Sequence, residues 1–425
     1  MRRATMVSYE DLNNTSASQW KTAADDWLDL ANHALRTAQE IREQGAGPLA
    51  DNWTDAVGRQ AARDFEDLAN RFEAAYDVMK GVSMVAEGLA STVELAQRTL
   101  RTAVDLADRY GFGITADGTL VVPPPHSRVE AEDNGPLRTE VQTLVDEALR
   151  QANAADAAAV PELTALAGMT GVADPAKALS GQNDASHVQM AILAADIPSG
   201  RDPVVVRAWW DGLTPEQRHR MMLAEPVALT ALPGIPEDAK GEMRGTDGKF
   251  DRVAMVQYAL DHWDQPDDTD FGNNCTNFVS ESLLHAGMQE KLGTWSGPDG
   301  DDTWGEVSGT GWDWWDARAY HSDTWAGAEN LQNFLTRHGG EEVARSDVRP
   351  GDIVFYEQAG PGAGNAPGNT HHAAVVTAVT PDGDIKYTQH SDSYQNVSLD
   401  GRMGAEVKAE GQQNLRIVRP HPDWY

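Results

Sequence analysis

Cysteine is almost missing from this chain: Cys275 is the one thiol in 425 residues. That excludes an internal disulfide framework and any multi-cysteine zinc or iron–sulfur site built from one chain. Basic residues are scarce, since 34 Lys and Arg against 66 Asp and Glu leave a formal charge of −32. Such a field repels phosphate backbones and anionic headgroups, so no nucleic-acid partner is expected. Long hydrophobic runs are absent too, and without a stretch of about 18 apolar residues no membrane span is expected. Arg2 and Arg3 have no apolar run behind them, which fails the secretory signal pattern. The expected locations are the cytoplasm, or outside the cell by a signal-peptide-independent route.

What is present suffices for more than one core, with 40% hydrophobic residues. Residues 1–112 read as a helical hairpin. Apolar residues recur at steps of three and four, first through Trp20, Ala24, Trp27, Ala31, Leu35, Ala38 and Ile41. A break is expected at Gly45, Gly47 and Pro48. A second seam then runs from Phe65, Leu68 and Phe72 through Leu89 and Val93 to Ala107, in heptad fashion. Between them Trp53 is followed by Gly58. Residues 113–245, with Pro123–Pro125 and an Ala/Gly/Pro-rich middle, read as a helical connector. Thr214 and Pro215 mark a short helix start within it. From residue 246 to 425 helix and strand signals mix, and a third domain of α+β class is expected.

The chemistry concentrates in that last domain. In Asn273-Asn274-Cys275-Thr276-Asn277-Phe278-Val279-Ser280 the asparagines are candidate N-caps, so Cys275 falls in a first helical turn. Helix-start amides and the helix dipole stabilise a thiolate there and can donate to an oxyanion. The competing reading is a buried cysteine acting as a small hydrophobe. A base stands about a hundred residues on. Thr370–Val379 reads as a buried strand, Asp382-Gly383 as a turn, and Ile385–His390 as the returning strand. Folding about that turn puts His372 across from roughly residues 391 to 393, with His390 and Asp392 on one common face of the partner strand. The sequence leaves open, by one residue of register, whether that face is also His372's. If it is, Cys275, His372 and either His390 or Asp392 form nucleophile, base and orienting group.

Cys275–Ser280, Arg349-Pro350-Gly351-Asp352-Ile353-Val354-Phe355-Tyr356, His372-Ala373-Ala374-Val375-Val376, His390 and the opening Phe250-Asp251-Arg252 resemble the Putative amidase domain family, related to papain-like NlpC and CHAP cell-wall hydrolases. The resemblance covers about residues 248–417. It implies a papain-like fold in which Cys275 is the nucleophile, His372 the general base and His390 the polar residue that holds the imidazole, with peptidoglycan peptide or amide bonds as substrate. His371 is expected on the other side of the strand. The helical hairpin with Trp53 and Gly58 resembles WXG-type substrates of type VII secretion. That implies an export handle, a dimer through the amino-terminal helices, and a secretion-machinery or immunity partner.

Lesser readings complete the set. Trp304, Trp314, Trp315 and Trp325 are candidate substrate-stacking residues, against the alternative of packing. Asp299-Gly300-Asp301-Asp302-Thr303 followed by Gly305 faintly resembles a calcium loop, but its glycine is misplaced and the final glutamate is absent. Zinc on His371, His372, His390 and Asp392 is conceivable from ligand types, yet leaves the placement of Cys275 unexplained. No cofactor or metal is expected. The alternative function is an exported effector or a scaffold whose amidase-like domain is inactive.

Overall fold

The computed structural model describes residues 6–122, 128–198, 200, 202–266, 273–292, 301–307, 320–362, 364–402 and 411–425. They fall into two compact units, residues 1–199 and 200–425. The stretch 113–245, expected as one connector, is thus divided between them.

The first unit is helical: α1 (Tyr9–Asn14), α2 (Ala17–Ile41), α3 (Gly47–Asn52), α4 (Ala56–Arg109), α5 (Arg128–Gly168) and α6 (Pro175–Ala194), with a small pairing of β1 (Gly113–Ile114) and β2 (Leu120–Val121). The helices α2 and α4 form the expected hairpin, but the break differs. At Gly45-Ala46-Gly47 the helix widens into a π turn over Arg42–Ala46 and continues into α3. The chain turns only at Trp53–Asp55, where the Asp55 carboxylate accepts the Val57 and Gly58 amides and starts α4. Gly58 is required there, because a Cβ would lie 2.0 Å from the Trp53 carbonyl oxygen. Arg42 braces the hairpin, donating to Glu66, Asn70 and Glu73 of α4.

The single seam expected for α4 is also corrected. Phe65 and Leu68 are exposed, whereas from Ala74 onward several faces are buried, because α2, α5 and α6 all pack on this 54-residue helix. Its core is small: Gly81 and Gly88 let α4 approach Leu166, Ala185 and Ile192 to van der Waals contact.

The second unit opens with short helices α7 (Pro203–Gly212), α8 (Pro215–Ala224), α9 (Pro226–Thr230) and α10 (Glu237–Arg244). Thr214 caps α8 in a capping box with Gln217. Then come α11 (Arg252–His262), α12 (Cys275–His285), β3 (Glu306–Val307), β4 (Tyr320–His321), α13 (Asp323–Ala326), α14 (Ala328–Arg337), β5 (Glu341–Glu342), β6 (Ile353–Gln358), β7 (Thr370–Val379), β8 (Ile385–Gln389), β9 (Tyr394–Ser398) and β10 (Gln413–Arg419). Six strands make one antiparallel sheet in the order β5-β10-β6-β7-β8-β9. Alternation divides its central strands between two cores. Ile353, Phe355, Ala373 and Val375 pack with Met255, Phe278, Leu283 and Phe334 of the helices, and Val354, Tyr356, Ala374 and Val376 pack with Ile385, Tyr387 and Val397. The Arg-Pro-Gly-Asp segment leads into β6: buried Asp352 is gripped by Arg419 of β10 at 2.8 and 2.9 Å, and Gly351 has φ +88 with the Arg252 stem against it.

Candidate active site

Cys275 begins α12, and its thiol is buried. Asn274 is the N-cap residue, yet its side chain makes no cap bond, so the helix-start amides are left without a side-chain acceptor from it. The Cys275 N–H leans instead on Asn273 Oδ1 at 3.4 Å. Burial pushes the thiol up, but the charge and hydrogen bond of His372 on β7, the Ala373 amide and the Thr276 hydroxyl outweigh it and bring it down to about 7. For His372 burial works downward, while the Cys275 thiolate, Gln389 and Asp392 raise it above its ordinary value. Each partner thus favours the charged form of the other.

The protonation of His372 follows from its neighbours. Gln389 Nε2 donates to the carbonyls of Ser391 and Asp392, at 3.2 and 3.0 Å. Its Oε1 is therefore the atom facing His372 Nε2 at 2.8 Å, and accepts from it. With Nε2 carrying the proton, Nδ1 is left for the thiol. Tyr356 stands edge-on to the imidazole, with ring centroids 5.3 Å apart. The backbone that aims those two carbonyls is left-handed at Ser391 and Asp392, φ +62 and +56. Such a conformation is costly for residues with a Cβ and is held here by its hydrogen bonds.

The side chain bonded to His372 is thus that of Gln389 rather than His390 or Asp392, and one bulge is the reason. Counting back from the turn, Val379 pairs with Ile385 and Ala378 with Lys386. After the extra residue Thr377, Val376 pairs with Tyr387 and Val375 with Thr388. Continuing this shifted register places His372 opposite Ser391 and puts Gln389 on its face. Without the bulge His372 would meet Asp392, and His390 would share its face. Asp392 stays near enough to act on His372 by charge. His390 points away, with Nε2 on the Gln265 carbonyl at 2.7 Å.

A cleft of about 340 Å³ opens beside the cysteine. It is lined by Asn273, Cys275 and Thr276, by Gly327–Asn330 at the start of α14, and by Asn365, Asn369, Thr370 and His371. Its walls combine four asparagines and two threonines with the Glu329 carboxylate and small residues. His371, expected on the other side of the strand, lines this cleft and meets Gln413 Oε1 at 2.7 Å. Each of the three histidines of the zinc alternative therefore holds a different partner, and they do not converge. Of the acidic segment, Asp299 and Gly300 lie outside the described residues, and Asp301 accepts from Asn330 and Asn333 and pairs with Arg337 of α14.

The tryptophan readings divide. Trp304 and Trp325 are fully buried and stack on each other at 5.3 Å, so neither offers an indole face to a substrate. Trp314 and Trp315 lie outside the described residues. Sequence reasoning missed why α12 is polar on its buried side. Asn277 accepts the Trp325 indole N–H at 2.5 Å and Ser280 accepts that of Trp304 at 3.1 Å. Polar residues at helical spacing within an otherwise apolar helix were the available signal.

No curated protein and no solved structure matches the chain. Residues 249–412, the stretch that carries Cys275, His372 and Gln389, match the model of the Putative amidase domain family, which points to an amide hydrolase.

Proposed function

We propose that the second unit is a cysteine-dependent amide hydrolase in which Cys275 is the nucleophile, His372 the general base and acid, and Gln389 the orienting group. The observation that carries this reading is the buried Cys275–His372 pair, whose mutual stabilisation overcomes burial at the side of an open cleft. His372 Nδ1 takes the thiol proton and the sulfur attacks the substrate carbonyl carbon, forming a C–S bond. Helix-start amides of α12 receive the developing oxyanion. Collapse breaks the C–N bond, and His372 gives its proton to the leaving amine. Water, deprotonated by the same imidazole, then attacks the thioester and releases the acid. The resemblance to cell-wall hydrolases makes peptidoglycan stem peptides the proposed substrate, and the amide-lined cleft suits peptide groups. The hairpin of α2 and α4, with Gly58 packed on Trp53, supports a proposed role as the handle for type VII-like export, with dimerisation or partner contact through the same helices.

The test is the rate of Cys275 alkylation by iodoacetamide against pH, in the wild type and in His372→Ala. The wild-type midpoint is expected near 7. In the variant only the Ala373 amide and the Thr276 hydroxyl still oppose burial, and the midpoint moves up toward or beyond the ordinary value of about 8.5. A thiol that reacts only in denaturant, or equal midpoints in both proteins, would reject the reading. An activated thiol justifies assays on peptidoglycan fragments.

A further inference from the structure

His390 lies in a chain of hydrogen bonds whose every proton can be placed. An indole can only donate and a peptide carbonyl can only accept. Trp325 Nε1 donates to Asn277 Oδ1 at 2.5 Å, so Asn277 Nδ2 is the donor to Asn274 Oδ1 at 2.8 Å. Asn274 Nδ2 is then the donor to His390 Nδ1 at 3.3 Å. At the far end, His390 Nε2 donates to the Gln265 carbonyl at 2.7 Å. An independent contact gives the same answer, because the Ser391 backbone N–H donates to Nδ1 at 3.0 Å. The ring therefore carries its proton on Nε2 and accepts twice at Nδ1. The Asn274 backbone N–H closes the loop by donating to Ser391 Oγ at 2.8 Å.

We infer that His390 is a positioning residue, held as the neutral Nε2–H ring, that clamps Asn274 to the Ser391–Asp392 turn. This clamp fixes the start of α12, where Cys275 sits, in register with the strand end that carries Gln389. The role rests on the hydrolase reading above but differs from that of a third catalytic group, since the hydrogen bonds of His390 go to Asn274, Ser391 and Gln265 while His372 is held by Gln389. Asn274 links the two sides: its carboxamide, released from capping duty, joins the helix that bears the nucleophile to the turn that aims the base. The residue next to a nucleophile and the residue next to its orienting amide are thus tied to each other.

Two measurements on the full chain test this. Long-range proton–nitrogen NMR of the histidine rings, with the His390 signal assigned by its loss in His390→Asn, is expected to show Nε2 protonated and Nδ1 bare. A proton on Nδ1 overturns the inference. Alkylation of Cys275 is then compared across variants. His390→Phe keeps a ring against Phe278 but removes all three polar contacts, and is expected to slow alkylation on the order of 10- to 100-fold through misplacement of the pair. His390→Asn keeps an acceptor near the Nδ1 position and is expected to recover most of that loss. In His390→Phe the midpoint pH of alkylation is expected to rise part of the way toward that of His372→Ala, and in His390→Asn to return toward the wild-type value. A His390→Phe rate and midpoint equal to wild type would overturn the positioning role. Should wild-type Cys275 prove unactivated, the hydrolase reading fails by itself, and the tautomer, observed without any reaction, still decides the clamp.

Discussion

The two units differ in how they bury side-chain amides, although Trp209 Nε1, Thr303 Oγ1 and His338 Nε2 show that the second also holds buried polar atoms without a hydrogen-bond partner among the described residues. In the second, interior amides are linked end to end, from Trp325 through Asn277 and Asn274 to His390, and from Ser391 through Gln389 to His372. In the helical unit, among the described residues, Gln189 is fully buried with neither amide atom partnered by protein, and Gln151 Oε1 and Gln182 Oε1 are equally alone. An unpaired buried polar atom costs about 1–3 kcal/mol, whereas a satisfied one is mildly stabilising and fixes a geometry. In the sheet-bearing unit this polar chain fixes the geometry beside the thiol. The helical unit rests on close packing of small residues along α4 and leaves several buried amide atoms unpartnered.

The largest effect expected from this contrast is in the sheet core. Phe355 is fully buried between β6 and the helices, and Phe355→Ala should cost about 3–5 kcal/mol. In urea monitored by circular dichroism, the helical signal of residues 1–199 should persist after Cys275 becomes freely reactive. Loss of both signals together would mean that the units unfold as one. Next comes Asp196, whose carboxyl is pushed up to about 7 by burial, against the pull of Thr92 and Arg150. The folded state keeps this proton between about pH 4 and pH 7 while the unfolded chain releases it, so the helical unit should lose stability as pH rises through that window. Asp196→Asn should remove the slope and gain about 2–4 kcal/mol at pH 8, with little change at pH 4. Urea midpoints at the two pH values test it, and an unchanged slope in the variant would place the titration elsewhere.

The sequence exposed much of this architecture and misjudged it at identifiable places. Helical periodicity located α2 and α4, and the turn signals at Asp382-Gly383 located the β7–β8 hairpin, because both are local. The place of Cys275 at a helix start was legible from Asn-Asn-Cys before an apolar run, and that of its partner His372 from a histidine opening a buried strand. What escaped was set by single residues acting at a distance. Thr377 bulges, its hydroxyl bonded to Asn396 at 2.6 Å, and this one-residue slip replaces His390 by Gln389 beside the base. Likewise Gly45 and Gly47 read as a helix stop, yet the chain absorbs them in a π turn because Arg42 is anchored to three residues of α4. Burial of Trp304 and Trp325 could not be read from spacing, since their indole partners lie on α12, 24 and 48 residues away.

The smallest expected effect is the most pointed, because it reverses the usual sign of a core substitution. Gln189 packs its stem against α4 at Gly88, where a Cβ would sit 3.5 Å from Gln189 Cγ, so the space fits an unbranched side chain. Gln189→Met keeps that shape and removes the unpartnered amide, and should stabilise the helical unit by about 1 kcal/mol. The matching change in the other unit, Asn277→Leu, strands the Trp325 indole N–H and Asn274 Oδ1 together and should destabilise by about 2 kcal/mol or more. Urea midpoints for the pair measure the contrast directly. A destabilising Gln189→Met would mean that the amide is bonded in solution, to a buried water in the bundle, and that the helical unit satisfies its polar interior after all.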